Sequence, residues 1–274
     1  MQNKLSTIPA PALAGVIREE TAASAIAQIK NCVYGGSDMI DLHLSCLDQD
    51  DVKTLERIIR SCPIPILALN YNDTYDKKRL GLSEEDRVAS LLRAAEAGAA
   101  GIDMQGYTFH APSEEEFFGE DKYSFTKNSP KEVVTDESII SKQCDLIDRV
   151  HHMGAEVLLS CHPGVPMTTE QVVDLALFLE KRGPDIIKIV TKASNEEESY
   201  EAIRTMTVLK REVKTPVSYH ANGKFGDLSR VINPMLGGQI AFCVEHYDKG
   251  STLAQIPLAT MRTICDNYKR IVRR

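Results

Sequence analysis

Short apolar runs alternate with longer amphipathic stretches along nearly the whole chain, and this alternation constrains the fold more than any other feature. The runs have the length of buried strands, and the stretches between them have the periodicity of surface helices. Strands are predicted over residues 13–17, 39–44, 65–69, 101–104, 156–160, 185–190, 216–220 and 239–244. Helices are predicted over residues 22–34, 51–61, 83–97, 168–181, 195–211, 228–235 and 253–272, with a further helix near Ser138.

This order of elements predicts an α/β fold with a parallel sheet, because a helix after each strand returns the chain for parallel pairing. Eight such units match a single (β/α)8 TIM barrel, which takes roughly 250 residues. The chain has 274 residues and shows neither an internal repeat nor a break in composition. Residues 1–274 are therefore expected to form one barrel domain.

One connection is much longer than the others. It covers about residues 105–137, after the fourth strand, and includes four phenylalanines and two tyrosines. It leaves the carboxyl end of a strand, which is the side on which the active sites of barrels lie. Two interpretations stay open: a lid or dimer contact, and a surface excursion packed on neighbouring helices.

Charge and composition exclude several classes of protein. A net charge of −7 argues against a general nucleic-acid binder. No apolar run is long enough for a membrane span, and the first residues lack the apolar core of a secretory signal. Seven scattered cysteines without a CxxC pair indicate reduced thiols rather than a zinc site. We expect a cytoplasmic protein without a metal and without nucleic-acid or membrane partners.

A lysine interrupts the apolar run of the sixth strand, which reads Ile186-Ile187-Lys188-Ile189-Val190. Lysine is rarely buried unless it is paired or used, and a desolvated amine can attack a carbonyl carbon. Barrels that resemble class I aldolases place a Schiff-base lysine on this strand. Lys188 is therefore the candidate nucleophile, although a lysine that only extends from a strand end to solvent is the ordinary alternative. Lys192 is the local rival and is expected in the following loop.

His162 ends the fifth strand in the segment LLSCH, one strand away from Lys188. An imidazole with an ordinary pKa of about 6.5 can both remove and return a proton. The pair therefore predicts an electrophile-forming lysine with an acid/base histidine, although a single histidine often has only a structural hydrogen bond.

Anion-binding candidates follow the last two strands. Arg230 is expected in a glycine-rich loop after the seventh strand, and Ser251 and Gln255 in the loop after the eighth. Loops at these positions of a barrel commonly bind an anionic group, and the fork of an arginine suits a carboxylate.

Together these residues resemble type I 3-dehydroquinate dehydratase. The resemblance extends from about residue 12 to residue 268 and is carried by Lys188 in DIIKI, His162 in LLSCH, Arg230 in LSR, and Ser251 and Gln255 in STLAQIPL. It implies a Schiff base between the lysine and the substrate ketone, general acid/base catalysis by the histidine, and contacts of the other three residues with the substrate carboxylate and a hydroxyl. The implied reaction is the syn dehydration of 3-dehydroquinate to 3-dehydroshikimate, a lyase step of the shikimate pathway and aromatic amino acid biosynthesis, with a catabolic role left open. The resemblance also implies no metal or organic cofactor because the imine serves as the electron sink. A homodimer is one interpretation of the chain, and the sequence leaves the oligomeric state open.

The chain departs from the family pattern on strands two to four. The pattern E-x-R of the second strand is replaced by Asp41 and His43, and the T-x-R after the third strand by a segment that ends in Tyr71. A glutamate after the fourth strand is replaced by Gln105, with Asp103 nearby. We call Asp41, His43, Tyr71 and Gln105 the specificity wall. We expect the wall to select the substrate and to make 3-dehydroquinate a weak one compared with a related cyclic hydroxy-keto acid.

Two other functions remain open on the sequence alone. One is a class I aldolase or dehydratase for another keto acid or keto sugar. The other is a pseudoenzyme that binds a carboxylated ligand without turnover, although such a protein has no use for a buried amine beside a histidine.

Overall fold

The apolar runs form parallel strands, and the amphipathic stretches between them form helices. The computed structural model describes residues 4–71, 83–109, 133–247 and 254–272. Within these residues a strand is followed by a helix eight times, and a two-residue strand precedes the last helix. This is the order of elements predicted for a (β/α)8 fold.

The described chain divides into two compact units. The first unit consists of Met1–Asp103, Val150–Glu156 and Ile240–Arg274, and the second of Met104–Arg149 and Val157–Gln239. The prediction of one domain over residues 1–274 stays a prediction.

The first unit is built on parallel strands in the order β4-β3-β2-β1-β8-β9. Its elements are β1 (Ala12–Ile17), α1 (Ala22–Tyr34), β2 (Met39–His43), α2 (Val52–Arg60), β3 (Ile66–Leu69), α3 (Glu84–Glu96), the start of β4 (Gly101–Gln105), β8 (Ile240–Val244), β9 (Ile256–Pro257) and α8 (Leu258–Val272).

The register of this sheet decides which side chains share a face. Val16 pairs with Asp41, Asp41 with Leu67, and Leu69 with Asp103. Directly paired residues of neighbouring strands point to the same face, and residues two apart on one strand do so as well. Asp41, His43 and Asp103 therefore lie on one face of this sheet.

The second unit holds three parallel strands in the order β5-β6-β7. Its elements are α4 (Glu137–His152), β5 (Glu156–Cys161), α5 (Thr169–Glu180), β6 (Ile186–Lys192), α6 (Glu196–Glu212), β7 (Val217–Asn222) and α7 (Asp227–Met235), with the first residue of β5 and the end of α4 counted in the first unit.

Local sequence sets the ends of the helices. The side chains of Ser83 and Thr168 accept hydrogen bonds from the third backbone amides of α3 and α5 and cap these helices, as predicted for Ser83. Gly98 and Gly183 follow the helix ends with φ values of 97° and 82°. Only glycine takes such angles without strain, so both residues end their helices as predicted.

The last helix begins later than predicted. Residues 253–257 were expected to be helical, but α8 begins at Leu258. Ile256 and Pro257 instead pair with Cys243 and Val244 of β8. Pro257 has no backbone N–H to donate and fits only at the edge of a sheet or at the start of a helix.

The backbone of Gly101 packs tightly against Leu5 and Glu156 in the first unit. A Cβ at Gly101 would lie 2.6 Å from Cδ1 of Leu5 and 2.7 Å from the backbone oxygen of Glu156. The backbone amide and the hydroxyl of Ser6 donate to the Glu156 carboxylate at 2.9 and 2.6 Å. These contacts fix the short 3-10 turn Leu5–Thr7 against β4 and the start of β5.

All seven cysteines are free thiols, and five of them are buried. Among the described residues, no helix has the length and apolar character that crossing a membrane requires.

Candidate active site

Lys188 lies in the middle of β6 as predicted, between two buried serines. It pairs with Ser160 of β5 and Ser218 of β7, so the three side chains point to one face of the sheet. The exposed fractions are 7% for Lys188, 0% for Ser160 and 1% for Ser218. We call these residues the lysine row. The paired neighbours of Lys188 on this face are thus two small side chains with hydroxyl groups.

Two histidines follow the lysine row toward the carboxyl ends of the strands. His162 lies directly beyond β5 as predicted and two residues after Ser160. His220 lies on β7 two residues after Ser218, where it pairs with Val190. The two-residue alternation of a strand places both on the face of Lys188, about 6.6 Å further along.

His220 is buried, and its pKa is held well below the ordinary value of 6.5. Burial is the main cause, and the positive charges of Arg230, Lys188 and His162 add to it. These four groups therefore form one cluster in which His220 is the neutral member. His220 was not among the site residues predicted from the sequence, although the alternation of Ser218, His220 and Asn222 in a strand-like run could have indicated it.

Arg230 lies in the first turn of α7 and not in the preceding loop, where it was expected. The loop is short because the Ser229 hydroxyl donates to the carbonyl of Gly226 at 2.6 Å and accepts from the amide of Ala221 at 2.8 Å. The Arg230 guanidinium donates to the side-chain oxygen of Asn222, the last residue of β7. Arg230 is therefore held at the carboxyl end of this strand.

Lys192 is the last residue of β6, so the prediction that it lies in a loop was wrong. β7 continues to Asn222 and pairs with Lys192, and the Lys192 amide donates to the carbonyl of Val165 at 3.0 Å. Pairing partners on both sides thus extend the strand by two residues. Lys192 remains four residues away from the lysine row.

Three members of the specificity wall lie on or just beyond β2 and β3 in the first unit. Asp41 is buried on β2, with its Oδ2 3.6 Å from Nε2 of His43. The rings of His43 and Tyr71 are arranged edge to face, with 6.3 Å between their centroids. The Tyr71 hydroxyl donates to the carboxylate of Asp103 at 2.9 Å. The structure thus brings Asp41, His43 and Tyr71 together, and adds Asp103.

One acceptor of the wall has no donor among the residues that the structure describes. Oδ1 of Asp41 is buried and has no hydrogen-bond partner within the described residues. A buried carboxylate oxygen without a donor costs free energy, so this atom is suited to a hydroxyl group of a ligand.

Gln105 is the last residue of β4 and is buried in the second unit. Gly106, the next residue, donates its amide to the carbonyl of Ser160 at 2.7 Å. The long connection begins here, and the Gln143 amide donates to the carbonyls of Gly106 and Thr108 at 2.9 and 2.7 Å. Residues 110–132 lie outside the described residues, so its role as a lid or dimer contact stays a prediction.

Gln255 lies in the loop before β9, as predicted, and is 8% exposed. Its side-chain oxygen accepts from Nη2 of Arg18 at 3.0 Å. Arg18 was not among the site residues predicted from the sequence. Ser251 lies outside the described residues.

Comparison with known proteins connects this site to one family. Residues 129–271 match the family model of type I 3-dehydroquinase. This range includes His162, Lys188, Arg230, Ser251 and Gln255, whereas the specificity wall lies before it.

Individual relatives extend the likeness to most of the chain. The 3-dehydroquinate dehydratase of Desulfotalea psychrophila is 25% identical over 235 residues, which are 85% of this chain and 88% of that protein. The crystal structure of 3-dehydroquinate dehydratase from Geobacillus kaustophilus has a TM-score of 0.77 at 14% identity and covers 98% of this chain and 97% of its own. The crystal structure of type I 3-dehydroquinate dehydratase from Clostridium difficile with covalent modified comenic acid has a TM-score of 0.75 at 15% identity. The match covers 98% of this chain and 100% of that chain. These likenesses confirm the predicted (β/α)8 fold class.

Proposed function

Because this chain belongs to the type I 3-dehydroquinase family, we propose that it is a Schiff-base hydro-lyase acting on 3-dehydroquinate or a related cyclic hydroxy-keto acid. The observation that carries the site assignment is the burial of Lys188 between Ser160 and Ser218 with two histidines at its carboxyl side. Lysine is rarely buried for packing alone, and a desolvated amine can attack a carbonyl carbon. This setting therefore favours a nucleophilic role.

The reaction follows from the positions of these groups. Nζ of Lys188 attacks the ketone carbon, and loss of water leaves an iminium ion. The iminium accepts the electron pair of the neighbouring C–H bond when a base removes that proton, and an enamine forms. The enamine then expels the β-hydroxyl as water, and hydrolysis of the imine releases the product and the free lysine. The imine is the electron sink, so the step requires neither a metal nor an organic cofactor.

His162 is the proton carrier of this proposal. It removes the proton beside the iminium and donates a proton to the departing hydroxyl, and both tasks suit an imidazole near neutral pH. His220 is kept neutral by burial and by its cationic neighbours, which makes it a poor source of protons.

Two sets of residues are proposed to select the substrate. Arg230, Ser251 and Gln255 hold its carboxylate and a hydroxyl, by their likeness to the family pattern. Asp41 offers a buried acceptor for a second hydroxyl, and His43, Tyr71 and Gln105 complete the selection of the ring.

We further propose that the protein is a cytoplasmic homodimer with neither nucleic acid nor membrane as partner. Light scattering on the purified protein checks the oligomeric state. A mass of one chain over the micromolar range contradicts the homodimer.

Borohydride trapping tests the proposal. The protein is mixed with 3-dehydroquinate and sodium borohydride, and its intact mass is measured. We expect a covalent adduct in the natural protein, none in Lys188→Ala, and an adduct in the control Lys192→Ala on the same strand. An adduct that persists in Lys188→Ala overturns the assignment of the nucleophile.

A further inference from the structure

Arg18 lies directly beyond β1, in line with the specificity wall. The register pairs Val16 with Asp41 and Ile17 with Leu42, so Arg18 is level with His43 on the neighbouring strand. The two-residue alternation of strands places it on the face of Val16 and Asp41. The side chain of Arg18 is half-buried. A cation therefore stands on the same face and at the same level as the wall.

The hydrogen bond from Arg18 fixes the orientation of the Gln255 amide. A guanidinium group only donates, so the atom of Gln255 at 3.0 Å is the side-chain oxygen. This contact uses one lone pair of that oxygen and orients the amide, so the NH2 group of Gln255 is left to donate to a ligand. Gln255 thus presents a donor in a fixed orientation.

Gln255 is also held through its backbone. The Tyr247 hydroxyl donates to the carbonyl of Gln255 at 2.6 Å. With this contact and the one from Arg18, backbone and side chain are both fixed, and Gln255 is nearly fully buried. Such fixation lowers the entropy cost of binding a ligand.

The charge at this place selects the kind of ligand. Within the described residues, no aspartate or glutamate lies within ion-pair distance of Arg18. A half-buried cation and an adjacent amide donor together offer hydrogen bonds to an anionic oxygen, and a carboxylate is the group that accepts several at once.

We propose that Arg18 is a recognition residue for the substrate carboxylate, acting both as a cation and by holding Gln255 as a donor. This inference rests on the proposed function. It adds Arg18 to the residues that bind the carboxylate of the substrate.

Steady-state kinetics on two compounds test the inference. The compounds are 3-dehydroquinate and its carboxamide analogue, in which the negative charge is removed. The variants are Arg18→Ala, Arg18→Lys, Gln255→Ala and the double variant Arg18→Ala with Gln255→Ala. Arg60→Ala, on the exposed surface of α2, is the matched control.

We expect Arg18→Ala to raise KM for 3-dehydroquinate about 10- to 100-fold, the usual worth of a hydrogen bond to a charged group, with a much smaller change in kcat. Arg18→Lys should restore part of the affinity, since it keeps the charge and loses the fork. The double variant should lose less than the product of the two single losses because the residues act together. The carboxamide should be nearly insensitive to Arg18→Ala.

Two results overturn the inference: an unchanged KM in Arg18→Ala, or an equal rise in KM for both compounds. Because Arg18→Ala could fold poorly, the concentration of 3-dehydroquinate that gives half-maximal borohydride adduct is also compared in the folded Arg18→Lys variant, where an unchanged value counts against the inference. Failure of the natural protein to form any adduct is a different result and rejects the proposed function itself.

Discussion

His220 makes the stability of the protein depend on pH, because its imidazole is buried in neutral form. Its pKa is well below 6.5 in the folded state, while the unfolded chain has the ordinary value. Below about pH 6.5 the unfolded chain therefore binds a proton that the folded protein does not. The stabilisation is fully present above pH 6.5 and is lost as the pH falls toward the folded pKa, by at most about 1.4 kcal/mol per pH unit for one proton.

Urea unfolding of His220→Asn between pH 7.5 and 5 measures this effect. The free energy of unfolding of the natural protein should fall more steeply with acid than that of His220→Asn, which has no proton to bind there. Parallel curves for the two proteins contradict the assignment of a neutral, buried His220.

Removal of His162 should separate imine formation from proton transfer. We expect His162→Ala to turn over about 10²- to 10⁴-fold more slowly, the usual contribution of an acid/base group. Lys188 is still present, so the borohydride adduct should form and accumulate. Intact-mass measurement and a product assay check this, with the exposed His152→Ala on α4 as the control. Near-normal turnover of His162→Ala at neutral pH contradicts the role.

A single residue could be predicted from the sequence where its side chain is charged and its neighbours in the chain are apolar. A lysine in the run Ile186-Ile187-Lys188-Ile189 is conspicuous in any register, so Lys188 could be selected from the sequence. The alternation of polar residues in the seventh strand could have indicated His220, but its place beside Lys188, like the place of Arg18 beside His43, follows only from the pairing of β6 with β7 and of β1 with β2. Such pairings join residues far apart in the chain, and a local pattern does not specify them.

At the scale of elements, Arg87 joins α3 to the end of β3. It is 2% exposed, and Nε and Nη2 donate to the Glu84 carboxylate at 2.8 and 2.6 Å. Its Nη1 donates to the carbonyl of Asn70 at 2.9 Å, one residue before Tyr71. The helix thereby holds the backbone that carries one member of the wall.

Arg87→Met should leave the Asn70 carbonyl without this donor. We expect the free energy of unfolding to fall by about 1–3 kcal/mol, the cost of a buried polar group that loses its partner. Urea denaturation gives the value, and Arg57→Met on the exposed side of α2 is the control. Equal stabilities of the two variants would falsify the joining role of Arg87.

Elements were predicted best where their ends carry their own signals. Ser83, Gly98 and Gly183 act on helix ends that lie next to them in the chain. The structure places a helix end beside each of the three residues. The predicted start of α8 was wrong because Ile256 and Pro257 pair with β8. Helical periodicity does not reveal such an interaction between two segments. The extension of β6 to Lys192 has the same cause.

For the whole molecule, substrate preference should follow the departures in the specificity wall. A site built for one set of hydroxyl groups rejects others strongly, since buried polar atoms are left unpaired. We expect kcat/KM on 3-dehydroquinate below about 10⁴ M⁻¹s⁻¹, the lower end of the ordinary range. The double variant Asp41→Glu with His43→Arg, which restores the E-x-R pattern, should raise it.

Progress curves on purified protein give these constants. An ordinary kcat/KM for the natural protein means that the substitutions are compensated within the wall. A double variant that folds and is no better on 3-dehydroquinate also contradicts the prediction.

The pairing of Val16 with Asp41 and of Leu69 with Asp103 has a consequence for how such a chain can diverge. In a parallel sheet a shift of one residue turns every side chain of the strand to the opposite face. Insertions or deletions within these strands are therefore excluded as a route to a new substrate, because they would turn Asp41 and His43 away from their neighbours. Change is limited to substitution at fixed positions such as Asp41 and His43. The substrate range of such a scaffold then depends on the residue types at a few positions. A small saturation library can sample all combinations at these positions.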